Sequence, residues 1–254
     1  MAEENVGKAA FDPKHARGQE YREGSAPAVR PKDAATLIIV RRDASAPQVL
    51  MGQRHADHKF MPNKFVFPGG RVDPGDGRVR LDDDLDPLVQ ERLLTRMRGK
   101  PSPMRAKALA MAAIRETFEE TGLRLGAPMS VPMTRNEAWA DYFADGVAPR
   151  LSTLGFIARA ITPPYRTRRY DTRFFIADAE EIAGDPHAVE GSGELLDLHW
   201  LTVEDARGLD LPNITRLVLD ELDERLRLTK TAAKERAVPF VHFRNNKPIR
   251  DTLS

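Results

Sequence analysis

Residues 104–123 read MRAKALAMAAIRETFEETGL, and how this stretch folds decides the rest. Ser102 offers a side-chain cap, Pro103 suits a first helical position that needs no amide hydrogen, and Gly122 can adopt the left-handed backbone that stops a helix. At about 100° per residue, Met104, Met111, Ile114 and Phe118 fall on one side, while Glu116, Glu119 and Glu120 share an adjacent sector. Three carboxylates so close repel and raise one another's pKa, a cost that a cation between them relieves. Their hard oxygens suit Mg2+ or Mn2+. Arg115 sits at the border of the two sectors, where its planar fork can orient a glutamate through paired hydrogen bonds. Taken alone, a Glu-Glu pair on a helix reads as a solvated face; the flanking residues change that reading.

Upstream, Phe67-Pro68-Gly69-Gly70 is followed by Arg71-Val72-Asp73-Pro74-Gly75-Asp76. Two glycines after an apolar strand permit positive φ and close approach to a ligand. Gly70 and Asp76, with Arg115-Glu116, Glu119-Glu120 and Gly122-Leu123, resemble the two halves of the Nudix hydrolase box. Asp76 stands where that box has Glu, and 38 residues rather than seven separate the halves. An interrupted box of this kind is similar to that of the acyl-coenzyme A diphosphatase branch and its bacterial relatives. The resemblance covers most of residues 34–228. It implies the α/β class, as a Nudix-type α/β/α sandwich with a mixed central sheet and a helical insertion inside the box. It also implies hydrolysis of a phosphoanhydride in a nucleoside diphosphate linked to another group. Glu116, Glu119 and Glu120 would hold the metal, Arg115 would orient them, and Gly69 and Gly70 would lie beside the diphosphate. The proton acceptor stays open between a glutamate of the cluster and a later carboxylate such as Glu194.

Leu50-Met51-Gly52-Gln53-Arg54-His55, ahead of the Phe67-Pro68-Gly69-Gly70 run, resembles a segment of coenzyme A-cleaving Nudix enzymes. Leu50 and Arg54 keep their places, whereas Gly52, His55, Met61 and Asn63 stand where that signature has Thr, Ser, His and Gly. Residues 163–173, PPYRTRRYDTR, form the most basic stretch. Alone it reads as a strand-rim loop whose arginines pair with nearby acids, but beside a diphosphate its guanidinium forks match phosphate geometry. The expected substrate-binding residues are therefore Arg54, Gly69, Gly70, Arg168 and Arg169, and the expected substrate is coenzyme A or an acyl-coenzyme A. ADP-ribose, NADH or damaged nucleoside triphosphates are the alternative substrates. A module that senses a nucleotide without cleaving it is the rival from another class, and the intact carboxylate set argues against it.

Of 254 residues, 39 are Lys or Arg and 38 Asp or Glu, so a net charge of +1 gives no global reason to expect nucleic acid or membrane. The lack of cysteine excludes disulfides, thiolate zinc sites and a cysteine nucleophile. No GxxxxGK or GxSxG motif occurs. His55 and His58 are spaced for a metal but have no thiol and no further histidine nearby, so packing or substrate polarity is the reading for them. No apolar run suits a signal peptide or a bilayer span, and the last four residues, Asp251-Thr252-Leu253-Ser254, are not a peroxisomal address; the expected place is cytoplasmic. The expected partner is a small nucleoside diphosphate derivative, and a homodimer is among the assemblies allowed.

Residues 1–33 read as a mobile arm and residues 34–254 as one domain, with the insertion at about 77–107 and a C-terminal helix and tail at about 212–254. Strands are expected over residues 34–41, 48–54, 64–67, 154–161, 170–177 and 195–201, and an edge strand over 240–243. A helix is expected over 135–144 and another, inside the insertion, over 87–98, capped by Asp86 and lying across the substrate entrance. Asp82-Asp83-Asp84 reads as a solvated loop before it.

Overall fold

A computed structural model describes residues 29–254 except 58, 59 and 192. His58 and all but the end of the expected N-terminal arm thus lie outside the described residues. The chain runs β1 (Lys32–Arg41), β2 (Gln48–Arg54), β3 (Phe65–Val66), β4 (Gly69–Arg71), α1 (Pro87–Leu94), α2 (Pro103–Thr121), β5 (Ala127–Pro128), α3 (Glu137–Phe143) and β6 (Val147–Ala148). It continues through β7 (Gly155–Ile161), β8 (Tyr170–Asp178), β9 (Leu195–Thr202), α4 (Val203–Arg207), α5 (Asn213–Leu226), α6 (Lys230–Glu235), β10 (Val238–Arg244) and β11 (Lys247–Leu253). The main sheet has the order β11-β10-β7-β8-β1-β2-β3, with β4 also paired to β1 and β9 to β2. The pairs β1–β8 and β7–β10 are parallel and the others antiparallel, so the sheet is mixed.

The apolar run in β1 follows from burial on both faces. Ala35, Leu37 and Ile39 enter the core beneath α1, α2 and α3, while Ile38 and Val40 enter the second core beneath α4 and α5. Successive strand residues point to opposite faces, so one strand supplies both layers. The architecture is an α/β/α sandwich. At about 1.5–3 kcal/mol for each fully buried aliphatic or aromatic side chain, these two layers are the main stabilising contribution.

Helix α2 begins and ends where its sequence signals lie: Ser102 accepts from the Arg105 amide, and Gly122 takes φ 75°. Ala106, Ala110 and Ala113 are fully buried with Met111 and Ile114, whereas Met104 in the first turn is 62% exposed, against the expected stripe. Helix α1 is shorter than the expected 87–98. It stops at Leu94, and Arg96 takes φ 54°. Beyond that end Arg159 Nη1 donates to the carbonyls of Thr95 at 3.3 Å and Arg96 at 3.1 Å, which gives those carbonyls a partner outside a helix. The expected edge strand over 240–243 is instead interior. Strand β10 pairs with β7 on one side and β11 on the other, and Asn245 and Asn246, both at positive φ, close the β10–β11 hairpin. The expected strand over 64–67 narrows to β3, while the helix over 135–144 narrows to α3 with Asn136 as its cap.

Candidate active site

Arg115 sits at the centre of the site and is itself nearly buried. Its Nε donates to Asp76 Oδ1 at 2.8 Å and its Nη2 to Asp76 Oδ2 at 3.2 Å, a two-point clamp. Its Nη1 donates to Glu119 Oε2 at 2.7 Å and lies 3.1 Å from Glu116 Oε1, while Nη2 also reaches the Arg71 carbonyl at 2.9 Å. One guanidinium therefore binds the insertion's entrance, β4 and two glutamates of α2. Burial works against its charge, but the hydrogen bond to Asp76 and the surrounding carboxylates outweigh that and hold its pKa above the usual value. Asp76 is wholly buried and accepts further bonds from Trp139 Nε1 at 3.0 Å and the Asp73 amide at 2.8 Å. Trp139 comes from α3, which sequence reading had not connected to the box.

The two glycines act through space as well as torsion. A side chain at Gly69, where φ is 154°, would meet the Ala35 carbonyl at 2.5 Å and the Thr36 Cα at 2.6 Å. One at Gly70 would come within 2.3 Å of the Glu116 carboxyl carbon. Bare backbone here lets Glu116 rest on β4, and it leaves the Gly69 amide free to donate to Glu120 Oε2 at 2.8 Å.

Burial pushes the Glu120 carboxyl up to about 8; the Gly69 hydrogen bond and the Arg54 charge oppose the rise only in part, and the charges of Glu116 and Glu194 add to it. Burial likewise raises Glu116 to about 7 against the pull of Arg115, and Glu119 shifts upward for the same reason. The cluster thus resists carrying its full negative charge with only the surrounding protein groups to balance it. Hard carboxylate oxygens in that condition match a divalent cation. Each glutamate is meanwhile committed to a protein partner, and among the described residues no three acidic or histidine side chains converge closely enough to hold a metal as they stand. Among the described residues, no helix is long and apolar enough to cross a membrane.

An open cleft of about 2670 Å3 contains Arg115, Glu116, Glu119 and Glu120 together with Arg54, Gly69, Gly70, Arg168, Arg169 and Glu194. The residues singled out in the sequence are brought to one place. Their commitments differ. Arg168 is exposed on the rim, whereas Arg169 spends Nε on the Thr162 carbonyl at 2.9 Å and Nη1 on the Val29 carbonyl at 2.8 Å. Arg173, at the end of the basic stretch, is fully buried against Asp33 and Asp171 and does not reach the cleft. Asn63 takes φ 58°, a backbone that glycine and asparagine adopt most readily, which accounts for Asn where the resembling signature has Gly.

The insertion does not cover the entrance. No residue from 79 to 103 lines the cleft. Val89, Leu93 and Met97 instead join the α2 core, and Arg92 donates to the carbonyls of Lys234 at 2.7 Å and Glu235 at 2.6 Å, tying α1 to the C-terminal segment. The apolar stripe, read correctly, needed a core to bury it, and the core lies on the other face. The cleft wall comes from the start of α5 and from the β10–β11 hairpin, with Lys247 and Arg250 on the latter. Sequence reasoning missed that hairpin. Its signal was the Asn245-Asn246 pair between two extended stretches.

No protein-family model matches the sequence. Among curated proteins the chain is 23% identical, over 245 residues, to acyl-coenzyme A diphosphatase NUDT19 of Xenopus laevis, with 69% of this chain and 63% of that protein covered. The chain thus spans 63% of the length of the curated relative it matches. Among solved structures it is similar to a NUDIX hydrolase from Alicyclobacillus acidocaldarius, at 28% identity and a TM-score of 0.56, covering 76% of this chain and 90% of that one. The NUDIX domain of Shewanella oneidensis NrtR, complexed with ADP ribose, overlaps at 14% identity and a TM-score of 0.44, covering 86% and 96%.

Proposed function

We propose that this chain, which belongs to the Nudix hydrolase superfamily, hydrolyses the phosphoanhydride of a nucleoside diphosphate linked to another group. The observation that carries the reading is the Arg115 clamp. It fixes Asp76, Glu116 and Glu119 on one side of the Gly69-Gly70 backbone, whose amide holds Glu120. Glu116, Glu119 and Glu120 are the residues that would hold a divalent cation, Mg2+ or Mn2+. When bound, that cation supplies charge neutralisation at the diphosphate and a lowered pKa for attacking water. Arg115 keeps the carboxylates in register, a positioning role. The Gly69-Gly70 backbone lets the diphosphate approach closely. Glu194 is a cleft carboxylate outside α2 whose charge acts on Glu120, and it serves as acceptor of the water's proton.

The substrate in this reading is coenzyme A or an acyl-coenzyme A, giving 3′,5′-ADP and a 4′-phosphopantetheine product. Its support is Leu50 and Arg54 ahead of the glycines, the resemblance to the Xenopus diphosphatase, and the exposed Arg168 at the rim, a cation suited to a 3′-phosphate. The test compares kcat/KM for coenzyme A with that for its 3′-dephospho form, in the native chain and in Arg168→Ala. A preference for the 3′-phosphate that falls in the variant supports the substrate. Indifference to that phosphate, or faster turnover of ADP-ribose, overturns it in favour of the shorter nucleotide.

A further inference from the structure

The cleft has a floor whose register can be followed strand by strand. Gly69 and Arg71 of β4 pair with Thr36 and Ala34 of β1; Ala34 pairs with Thr172 of β8, Thr172 with Ala160 of β7, and Ala160 with Val241 of β10. Val241 in turn pairs with Arg250 of β11. Paired residues share a face, and all of these line the cleft. At roughly 4.8 Å between strands, four steps from β4 to β10 give a trough of about 19 Å. Between Arg71 and Arg250 the floor residues Thr36, Ala34, Thr172, Ala160 and Val241 are small and uncharged, with Lys32 of β1 lining the cleft beside them. At the far end stand an edge-on aromatic pair, Tyr165 and Phe243 at 6.2 Å, and two exposed cations that line the cleft: Arg250 on the floor's own face, and Lys247, which register places on the other face, at the hairpin turn. The acidic neighbour Asp251 is turned to the opposite face, held by Arg96 at 2.5 Å and His242 at 2.9 Å. Asp220 of α5 is engaged by Arg207 at 3.0 Å.

We propose that the β10–β11 hairpin is the subsite for the far end of a slim amide-and-alkyl arm attached to the diphosphate, and that Lys247 and Arg250 select arms whose short acyl group ends in a carboxylate. The proposal rests on the diphosphatase reading above and adds to it which acyl group is taken. A sugar phosphate covers only the near end of the trough, whereas an extended arm running about 19 Å from the reacting phosphorus crosses the whole floor. Small side chains leave room for a slim chain, and the perpendicular rings of Tyr165 and Phe243 give an edge contact rather than a shelf for a flat base. A methyl-ended chain would bring no partner to the two cations, while a terminal carboxylate pairs with them.

The experiment measures kcat/KM, with Mg2+, for ADP-ribose, coenzyme A, a short-chain acyl-coenzyme A and the acyl-coenzyme A of equal length ending in a carboxylate. The expected order places the carboxylate-ended thioester at least tenfold above its methyl-ended counterpart. Lys247→Glu with Arg250→Glu, both on the surface, should reverse that order. Val241→Trp, which raises the floor, should lower the ratio of either thioester to ADP-ribose about tenfold, with circular dichroism reporting the fold. Equal turnover of the two thioesters in the native chain, or an order unmoved by the charge reversal, overturns the proposal while leaving diphosphate hydrolysis standing. Failure to cleave any of the four substrates overturns both.

Discussion

Arg115 grips Asp76 through two hydrogen bonds, at 2.8 and 3.2 Å, across 39 positions of sequence and with both side chains buried. The pair closes a box that the insertion has split. A shorter carboxylate suffices because Asp76 lies in a 3-10 turn beneath α2, where Trp139 and the Asp73 amide also hold it. Removing one member of a buried pair leaves the other charge without compensation. Asp76→Ala is expected to cost about 3–5 kcal/mol of stability, read as a lowered denaturation midpoint. Arg115→Lys keeps the charge but not the fork, so activity should fall on the order of 10–100-fold while most of the stability remains.

The carboxylates of α2 have a different signature. Glu119→Gln and Glu120→Gln should each lower activity roughly a hundredfold through loss of a metal ligand, and calorimetric titration with Mg2+ should report weaker binding in both. Glu194→Gln should lower kcat with the Mg2+ affinity unchanged. Weaker Mg2+ binding in Glu194→Gln would move that residue from proton acceptor to ligand.

The insertion packs into the α2 core away from the cleft, so its substitutions are expected to change stability and not selectivity. Leu93 is 1% exposed inside the α2 core. Leu93→Ala should cost about 2–5 kcal/mol, and the ratio of kcat/KM between coenzyme A and ADP-ribose should stay constant in the folded fraction. A changed ratio would restore the insertion to the entrance.

Asp33 makes the fold acid-sensitive. Burial draws its pKa upward, but the charge of Arg173 and hydrogen bonds from Arg105 and Arg173 outweigh it, so its folded value lies below 3.8. A carboxylate whose pKa is depressed on folding stabilises fully above its unfolded pKa and loses that contribution as pH falls through the folded one. Unfolding free energy should therefore decline below about pH 4, and Asp33→Asn should be less stable at neutral pH with a shallower acid decline. Parallel pH profiles for the two proteins would contradict the linkage.

Local signals were legible wherever one residue type fixes one backbone state. Ser102, Pro103 and Gly122 bound α2 as read, and the alternating or continuous apolar runs of β1, β2, β7 and β8 were found within two residues. The box residues were legible through the family resemblance; Gly70, Arg115, Glu116, Glu119 and Glu120 meet in one cleft, while Asp76 is buried against Arg115. Long-range choices were not legible. Nothing local to Val89 and Leu93 says which face of the sheet will bury them, and nothing local to Thr95 says that Arg159, 64 residues later, will take its carbonyl. Arg169 and Arg173 looked alike as arginines of a basic loop. Their separation into cleft lining and buried anchor depends on strand register and on Asp33 of a distant strand. The β10–β11 hairpin was hidden because polar positions of β11 face solvent or cleft and leave only a weak apolar pattern.

The most direct measurement is mass-spectrometric identification of products from coenzyme A with Mg2+, for the native chain beside Glu120→Gln. The account predicts 3′,5′-ADP and 4′-phosphopantetheine from the native chain and roughly a hundredfold less of both from the variant. Equal product from the two proteins would contradict it, as would an intact diphosphate in coenzyme A and in every other nucleoside diphosphate derivative offered.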